Sequence, residues 1–223
     1  WGAPTFEIDG IKMLPTAQVS PYADAERKVD LIQPQGKVVL DTSPTTHEIY
    51  LKAVRALLAA GASCFTHLFN AMSPMQSRAA GMTGAAINSA AYAGIICDGI
   101  HVADEMLALA LRARPQADTT FLVSDAMATV GGSEHFTLYD QKIQLVDGRL
   151  INAEGSLAGA HTTMAEGVAR LITQLGLDPA AALRMATTIP AKVIGRPTGL
   201  VGQSLNECLL LGPNWAVAQT GLA

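Results

Sequence analysis

The stretch CFTHLFNAMSPMQSRAAGMTGAA, residues 64–86, decides how the rest of the chain is read. A short apolar run, Cys64-Phe65-Thr66, ends on His67, and Asn70-Ala71-Met72 and the lone Arg78 follow in a segment otherwise without charge. A buried strand that stops on a polar residue fits a parallel α/β sheet, in which the carboxyl ends of the strands form the rim where ligands bind. The same placement recurs twice. His101 follows Gly94-Ile95-Ile96-Cys97-Asp98-Gly99, and Asp125 follows Phe121-Leu122-Val123-Ser124.

Working outward, the segments between these strand ends read as helices. Residues 48–60 carry Ile49, Ala53, Val54, Leu57 and Leu58 on one side and stop at Gly61, and residues 103–112 form a second helix. Strands expected over 63–68, 94–97 and 121–123 alternate with them, which implies parallel strands joined by right-handed crossovers. Past residue 130 the rhythm changes. Residues 135–151 alternate apolar and polar around Asp147-Gly148, a hairpin signal. Helices resume over 163–175, after the Asp178-Pro179 start signal, and over 190–194, and the tail from Gly199, with the apolar run 208–211, returns to strand. Residues 1–40 read as short strands and turns around Asp9-Gly10 and Lys37-Val38-Val39-Leu40.

Composition narrows the function classes. The chain has 223 residues, 49% apolar and 15% charged, which favours a globular body over a disordered one. A net charge of −4 and a pI near 5.7 argue against a nucleic-acid partner, which needs a basic face. Cys64, Cys97 and Cys208 are an odd number with no Cys-x-x-Cys, so neither a disulfide framework nor a thiolate zinc site is suggested, and a reducing cytoplasm is the expected location. No apolar run approaches the ~18 residues of a membrane span, and no basic leader precedes an apolar one, so no membrane association is expected.

Two histidines and an aspartate on one rim are the groups a metal-assisted hydrolase uses: a divalent ion lowers the pKa of a water, and a carboxylate moves its protons. Arg78 offers a planar fork for a phosphate, and Gly81 and Gly84 leave backbone open to close approach. Taken singly, each polar residue also reads as a hydrogen-bonded strand end, and Arg78 as a surface side chain. The recurrence favours a site.

At these residues the chain resembles the N-acetylglucosamine-6-phosphate deacetylases of the amidohydrolase superfamily. The resemblance covers most of residues 61–198 and rests on five motifs in order: Thr66-His67-Leu68-Phe69-Asn70-Ala71-Met72, Gly94 to His101, Leu122-Val123-Ser124-Asp125-Ala126, Gly155-Ser156-Leu157-Ala158-Gly159, and Leu183 to Thr187 with Pro190-Ala191. It implies a (β/α) barrel of the amidohydrolase type, partial over this chain, with a small β-sandwich domain formed from the two chain ends. Residues 1–40 and 199–223 would form that β domain, and 41–198 the catalytic domain with a β-hairpin insertion near 135–152. By the resemblance, His67 is a metal ligand, Asn70, Ala71 and Arg78 hold the sugar phosphate, His101 contacts substrate, Leu157 lines the sugar pocket, and Asp125 is the catalytic aspartate. It also implies a divalent metal, zinc first with iron, manganese or cobalt as alternatives, an amino-sugar phosphate as substrate, and a homodimer.

The chain departs from the family pattern in its first half. The His-x-Glu-Gly-Pro segment that supplies a further metal ligand is absent, and in place of a Gly-His-(Ser/Thr) motif the chain has Asp41 to His47, which makes His47 a second candidate ligand. A full barrel takes about 250 residues alone, so the expectation is either an internally shortened chain or a protein whose missing barrel half is left out of these 223 residues. His161 stands where the family has a small residue, and both it and His135 are expected to be peripheral. Two other classes stay open: an amidohydrolase for a different N-acyl or cyclic amide, and a noncatalytic remnant that binds a sugar phosphate.

Overall fold

The computed structural model describes residues 7, 8, 11, 12, 54, 55, 58, 59, 61–138, 141–199, 204 and 208–220. The chain divides into two compact units, Trp1–Ala91 and Tyr92–Ala223.

In the first unit, β1 (Glu7–Ile8) and β2 (Ile11–Lys12) pair antiparallel with Ile8 opposite Ile11, and the turn expected at residues 9 and 10 lies outside the described residues. Residues 54, 55, 58 and 59, the described part of the helix expected over 48–60, are helical. Gly61 ends it at φ +101, a conformation that favours glycine, with its N–H bonded to the Leu58 carbonyl at 3.1 Å. β3 (Cys64–Phe65) is shorter than the strand expected over 63–68, because the backbone turns from Thr66 onward. α1 (Gly81–Asn88) buries Met82, Ala86 and Ile87, and Val54, Ala62, Phe65, Leu68 and Met72 complete the buried apolar set among the described residues of this unit.

The second unit opens with the alternation read from the sequence. β4 (Tyr92–Ile95), α2 (Asp104–Ala113) and β5 (Thr120–Leu122) form a βαβ element, its strands parallel with Ala93 opposite Thr120 and Ile95 opposite Leu122. Both strands are nearly all buried, the pattern of parallel strands covered on both faces. α2 carries Asp104 and Glu105 in its first turn and Arg112 in its last, charges that complement the helix dipole. The expected ribbon is a three-stranded antiparallel meander: β6 (His135–Leu138), β7 (Gln141–Val146) and β8 (Arg149–Ile151). Its second turn places Asp147 at φ +49 and Gly148 at φ +77, the two left-handed residues of a tight hairpin.

Three helices follow. α3 (Met164–Thr173) starts on a capping box: the Thr163 hydroxyl accepts from the Glu166 N–H at 3.2 Å, and the Glu166 carboxylate accepts from the Thr163 N–H at 2.7 Å. α4 (Pro179–Ala186) starts on Asp178 with proline at its first position, and α5 (Thr188–Val193) follows directly. All three pack on β5, and Val168, Leu171, Ala182, Met185 and Ile189 are buried with Ile95, Leu107 and Leu122. Arg170 of α3 forks onto the Asp104 carboxylate at 2.7 and 3.1 Å and ties α3 to the start of α2. β9 (Leu209–Leu211) and β10 (Val217–Thr220) close the chain as an antiparallel pair.

The second unit is thus layered α/β. Its described strands form a parallel pair, a meander and a terminal antiparallel pair, and among the described residues neither a closed barrel nor a sandwich is drawn. No helix among them is long and apolar enough to cross a membrane. Replacing Thr163 by Ala removes one half of the capping box, and urea unfolding is expected to show a loss of about 1 kcal/mol with an unchanged m-value.

Candidate active site

After β3 the chain makes a strained turn. His67, Phe69 and Ala71 all take positive φ, at +31, +79 and +51, a region that costs about 1–3 kcal/mol for each non-glycine residue. Hydrogen bonds over-determine it. The Asn70 N–H donates to the His67 carbonyl at 2.8 Å, and His67 Nδ1 donates to the Asn70 carbonyl at 2.9 Å. Because a carbonyl only accepts, Nδ1 carries a proton, and in the neutral ring this leaves the lone pair on Nε2, the tautomer of a metal-binding imidazole. The donor chemistry at His67 therefore fits a divalent ion. Among the described residues no group of three or more His, Cys, Asp or Glu is close enough to hold one, and His47 lies outside them.

Arg78 sits at the tip of a tight turn closed by Gln76 and Ala79, with N–H to carbonyl bonds of 2.8 and 3.2 Å, and is exposed. The two glycines expected to admit a ligand serve the chain itself. At Gly81, φ +61, a Cβ would overlap the Ser73 and Pro74 carbonyls, and at Gly84 it would meet Ala80 and Met75. Ser73 also starts α1: its Oγ accepts from the Met82 N–H at 2.8 Å and its carbonyl from the Thr83 hydroxyl at 3.0 Å.

In the second unit, Asp98 organises the loop after β4. One carboxylate oxygen accepts from the Ile100 and His101 N–H groups, both at 2.9 Å, and the other accepts from His101 Nδ1 at 2.7 Å. The side chains of His101 and Asp98 are only 7% and 5% exposed. Burial opposes the Asp98 charge, but the bond from the His101 side chain and the two N–H bonds outweigh it and lower its pKa to about 2. The bond to Asp98 raises the His101 pKa against its burial, and the charges of Asp98 and Asp125 add to the rise. The loop is supported from below by Arg170, whose guanidinium fills the space where a side chain at Gly99 would lie. Cys97 is buried, and loss of solvent pushes its thiol up to about 12, so it is an inert core group.

Asp125 takes φ +51 and is held by a backbone clasp. Ala160 donates its N–H to the Asp125 carbonyl at 2.8 Å and accepts from the Met127 N–H at 3.1 Å, in a parallel bridge with Ala126. Gly159, φ +84, makes this approach possible, since a Cβ there would overlap the Met127 side chain. Leu157 bridges back to Ile151 and is 44% exposed, so the expected sugar-pocket residue presents an open apolar face. Asp98, Arg170 and Thr129, to which the sequence reading gave no role, and His161, expected to be peripheral, make hydrogen bonds around these loops. Thr129, 3% exposed, bonds His161 Nδ1 at 2.9 Å across 32 positions, a pairing no local spacing reveals.

Three of the seven described non-glycine residues with positive φ, namely His67, Ala71 and Asp125, are sequence-predicted site residues. His101, Asp125 and Leu157 belong to the second unit, where the Asp125 charge bears on His101; His67, Asn70, Ala71 and Arg78 belong to the first.

The chain is similar to known proteins over most of its length. The chain is 37% identical over 191 residues to an N-acetylgalactosamine-6-phosphate deacetylase of Shewanella sp. (strain ANA-3), covering 84% of this chain and 46% of that protein. It is 30% identical over 131 residues to a putative N-acetylgalactosamine-6-phosphate deacetylase of Escherichia coli (strain K12), covering 58% of this chain and 77% of the relative. The crystal structure of N-acetylglucosamine-6-phosphate deacetylase from Pasteurella multocida superposes with a TM-score of 0.75 at 28% identity, over 89% of this chain and 58% of that one. No protein-family model matches. All three carry the names of amino-sugar-phosphate deacetylases. The chain belongs to that family, the N-acetylglucosamine- and N-acetylgalactosamine-6-phosphate deacetylases. It spans about half the length of the Shewanella and Pasteurella proteins.

Two substitutions probe this geometry. With its pKa raised, His101 contributes stability that is complete below its ordinary value of 6.5 and fades as pH rises through the folded value. Asp98, lowered from 3.8 to about 2, contributes above 3.8 and loses that contribution as pH falls toward about 2. The pair is therefore strongest between 3.8 and 6.5. Asp98→Asn is expected to lower the His101 titration midpoint, followed through its ring protons by NMR, and to cost about 1–3 kcal/mol in that window. Gly159→Ala is expected to cost about 1–3 kcal/mol in denaturant unfolding from the strained φ and the displaced Met127.

Proposed function

We propose that the protein hydrolyses the N-acetyl group of an N-acetylhexosamine 6-phosphate, N-acetylglucosamine 6-phosphate as the first candidate, giving glucosamine 6-phosphate and acetate. The observation that carries the reading is Asp125, a family-matched carboxylate pinned in a left-handed conformation beside His101 by a clasp that leaves it exposed. In this reading Asp125 accepts a proton from the attacking water and returns it to the departing amine nitrogen, so the leaving group departs neutral. His101, with its raised pKa, offers a positive donor to an anionic substrate group, and the Arg78 fork, with the Asn70 and Ala71 turn, takes the phosphate. Leu157 covers a face of the sugar ring and excludes water from it.

His67 Nε2, with His47 as a second donor, would hold a divalent ion, for which zinc is the first candidate. That ion would supply an activated water and polarise the amide oxygen. The amidohydrolase barrel with a small β domain built from 1–40 and 199–223, a cytoplasmic location and a homodimer belong to the same proposal, by likeness to the family.

Acetate release tests it. Turnover is expected with the phosphorylated sugar in the presence of zinc and not with the unphosphorylated one. Asp125→Asn is expected to lower kcat by about 10²–10⁴, and Arg78→Ala to raise KM about tenfold with kcat kept. Equal turnover of phosphorylated and unphosphorylated sugar, or an active Asp125→Asn variant, would sink the assignment.

A further inference from the structure

Among the described residues, three histidines have Nδ1 committed to the protein, and the committing group differs each time. At His67 it is a carbonyl, which fixes the proton on Nδ1. At His101 it is a carboxylate, which favours the charged ring. At His161 it is the Thr129 hydroxyl at 2.9 Å, which donates as readily as it accepts. The His161 ring is thereby held in place while Nε2 is left able to act as either donor or acceptor. That is the property needed to read a sugar hydroxyl, which is itself both donor and acceptor.

The position suits the role. Ala160 is clasped between Asp125 and Met127, so His161 is the next residue along the segment that carries Leu157. Gly159, two residues before His161, lies against the Met127 side chain, and Ala160 between them is held by the bridge to Ala126. The imidazole is half-buried, and its anchor Thr129 is 3% exposed.

We propose that His161 is a specificity-determining residue: its Nε2 hydrogen-bonds the C4 hydroxyl of the amino sugar, and Thr129 positions the ring for that contact. This rests on the deacetylase reading above. The C4 hydroxyl is where glucosamine and galactosamine differ, and the chain's relatives carry both names. A site that hydrogen-bonds a hydroxyl discriminates against the substrate that places it elsewhere, because its own polar group is left unpaired.

The test compares kcat and KM of the purified protein and its variants for N-acetylglucosamine 6-phosphate and N-acetylgalactosamine 6-phosphate. His161→Ala is expected to raise KM for the preferred epimer about tenfold, to leave kcat within about twofold, and to move the other epimer little, so that discrimination collapses. His161→Gln should recover part of the preference, and Thr129→Val should shift it in the same direction as His161→Ala. Calorimetric binding of glucosamine 6-phosphate and galactosamine 6-phosphate reads the same preference without turnover. An equal loss for both epimers, a fall in kcat alone, or unchanged discrimination overturns the inference. If the wild type turns over neither epimer, the deacetylase reading fails by itself, and calorimetry showing no epimer preference that depends on His161 then overturns the inference separately.

Discussion

Ala160 gives both of its main-chain polar groups to the loop after β5, and the place of Asp125 follows from that exchange. A carboxylate at the end of a short strand would otherwise sample many directions, since a left-handed aspartate is a minority conformation for a free chain. The clasp removes that freedom with two hydrogen bonds of 2.8 and 3.1 Å. It depends on Gly159, whose missing side chain lets Met127 pack against the backbone, and it carries Leu157 and His161 on the same segment. Asp125, Leu157 and His161 are thus tied to one local contact, and the β6–β8 meander spans the sequence between its two halves.

A second economy lies in how the loop after β4 is held. One carboxylate, Asp98, satisfies two backbone donors and one ring nitrogen, so the conformation of the turn and the state of His101 cannot vary independently. Beneath it, Arg170 uses its fork on Asp104 while its guanidinium occupies the vacancy above Gly99. Helix packing in the second unit and the geometry of the site are therefore the same set of contacts viewed from two sides.

Much of this was legible in the residues. Apolar runs ending on His101 and Asp125, the Asp147-Gly148 turn, and the Asp178-Pro179 start signal each express a local rule, and the βαβ element, the ribbon and α4 follow them. His67 was legible as a strand end, yet β3 proved two residues long, because the turn begins at once and hydrogen bonds across it override the β propensity of its neighbours. Gly81 and Gly84 were misread as room for a ligand, since from sequence nothing distinguishes close approach by a substrate from close approach by Ser73 and Pro74. The Thr129–His161 and Asp104–Arg170 pairs were invisible for a different reason: partners 32 and 66 positions apart meet only in the folded chain.

The meander has a consequence for how the chain folds. Because it lies between Ala126 and Ala160, closing the clasp means bringing together the ends of a long segment, an entropic cost that grows with the logarithm of its length. A ribbon built from adjacent antiparallel strands forms early and locally, and once formed it replaces most of that slack with a rigid spacer whose two ends already lie near each other. The ribbon then acts as an internal chaperone for the loop it interrupts. Its outer strands can lengthen or diverge without penalty to Asp125, so long as β8 still delivers the chain back to Leu157 and Gly159.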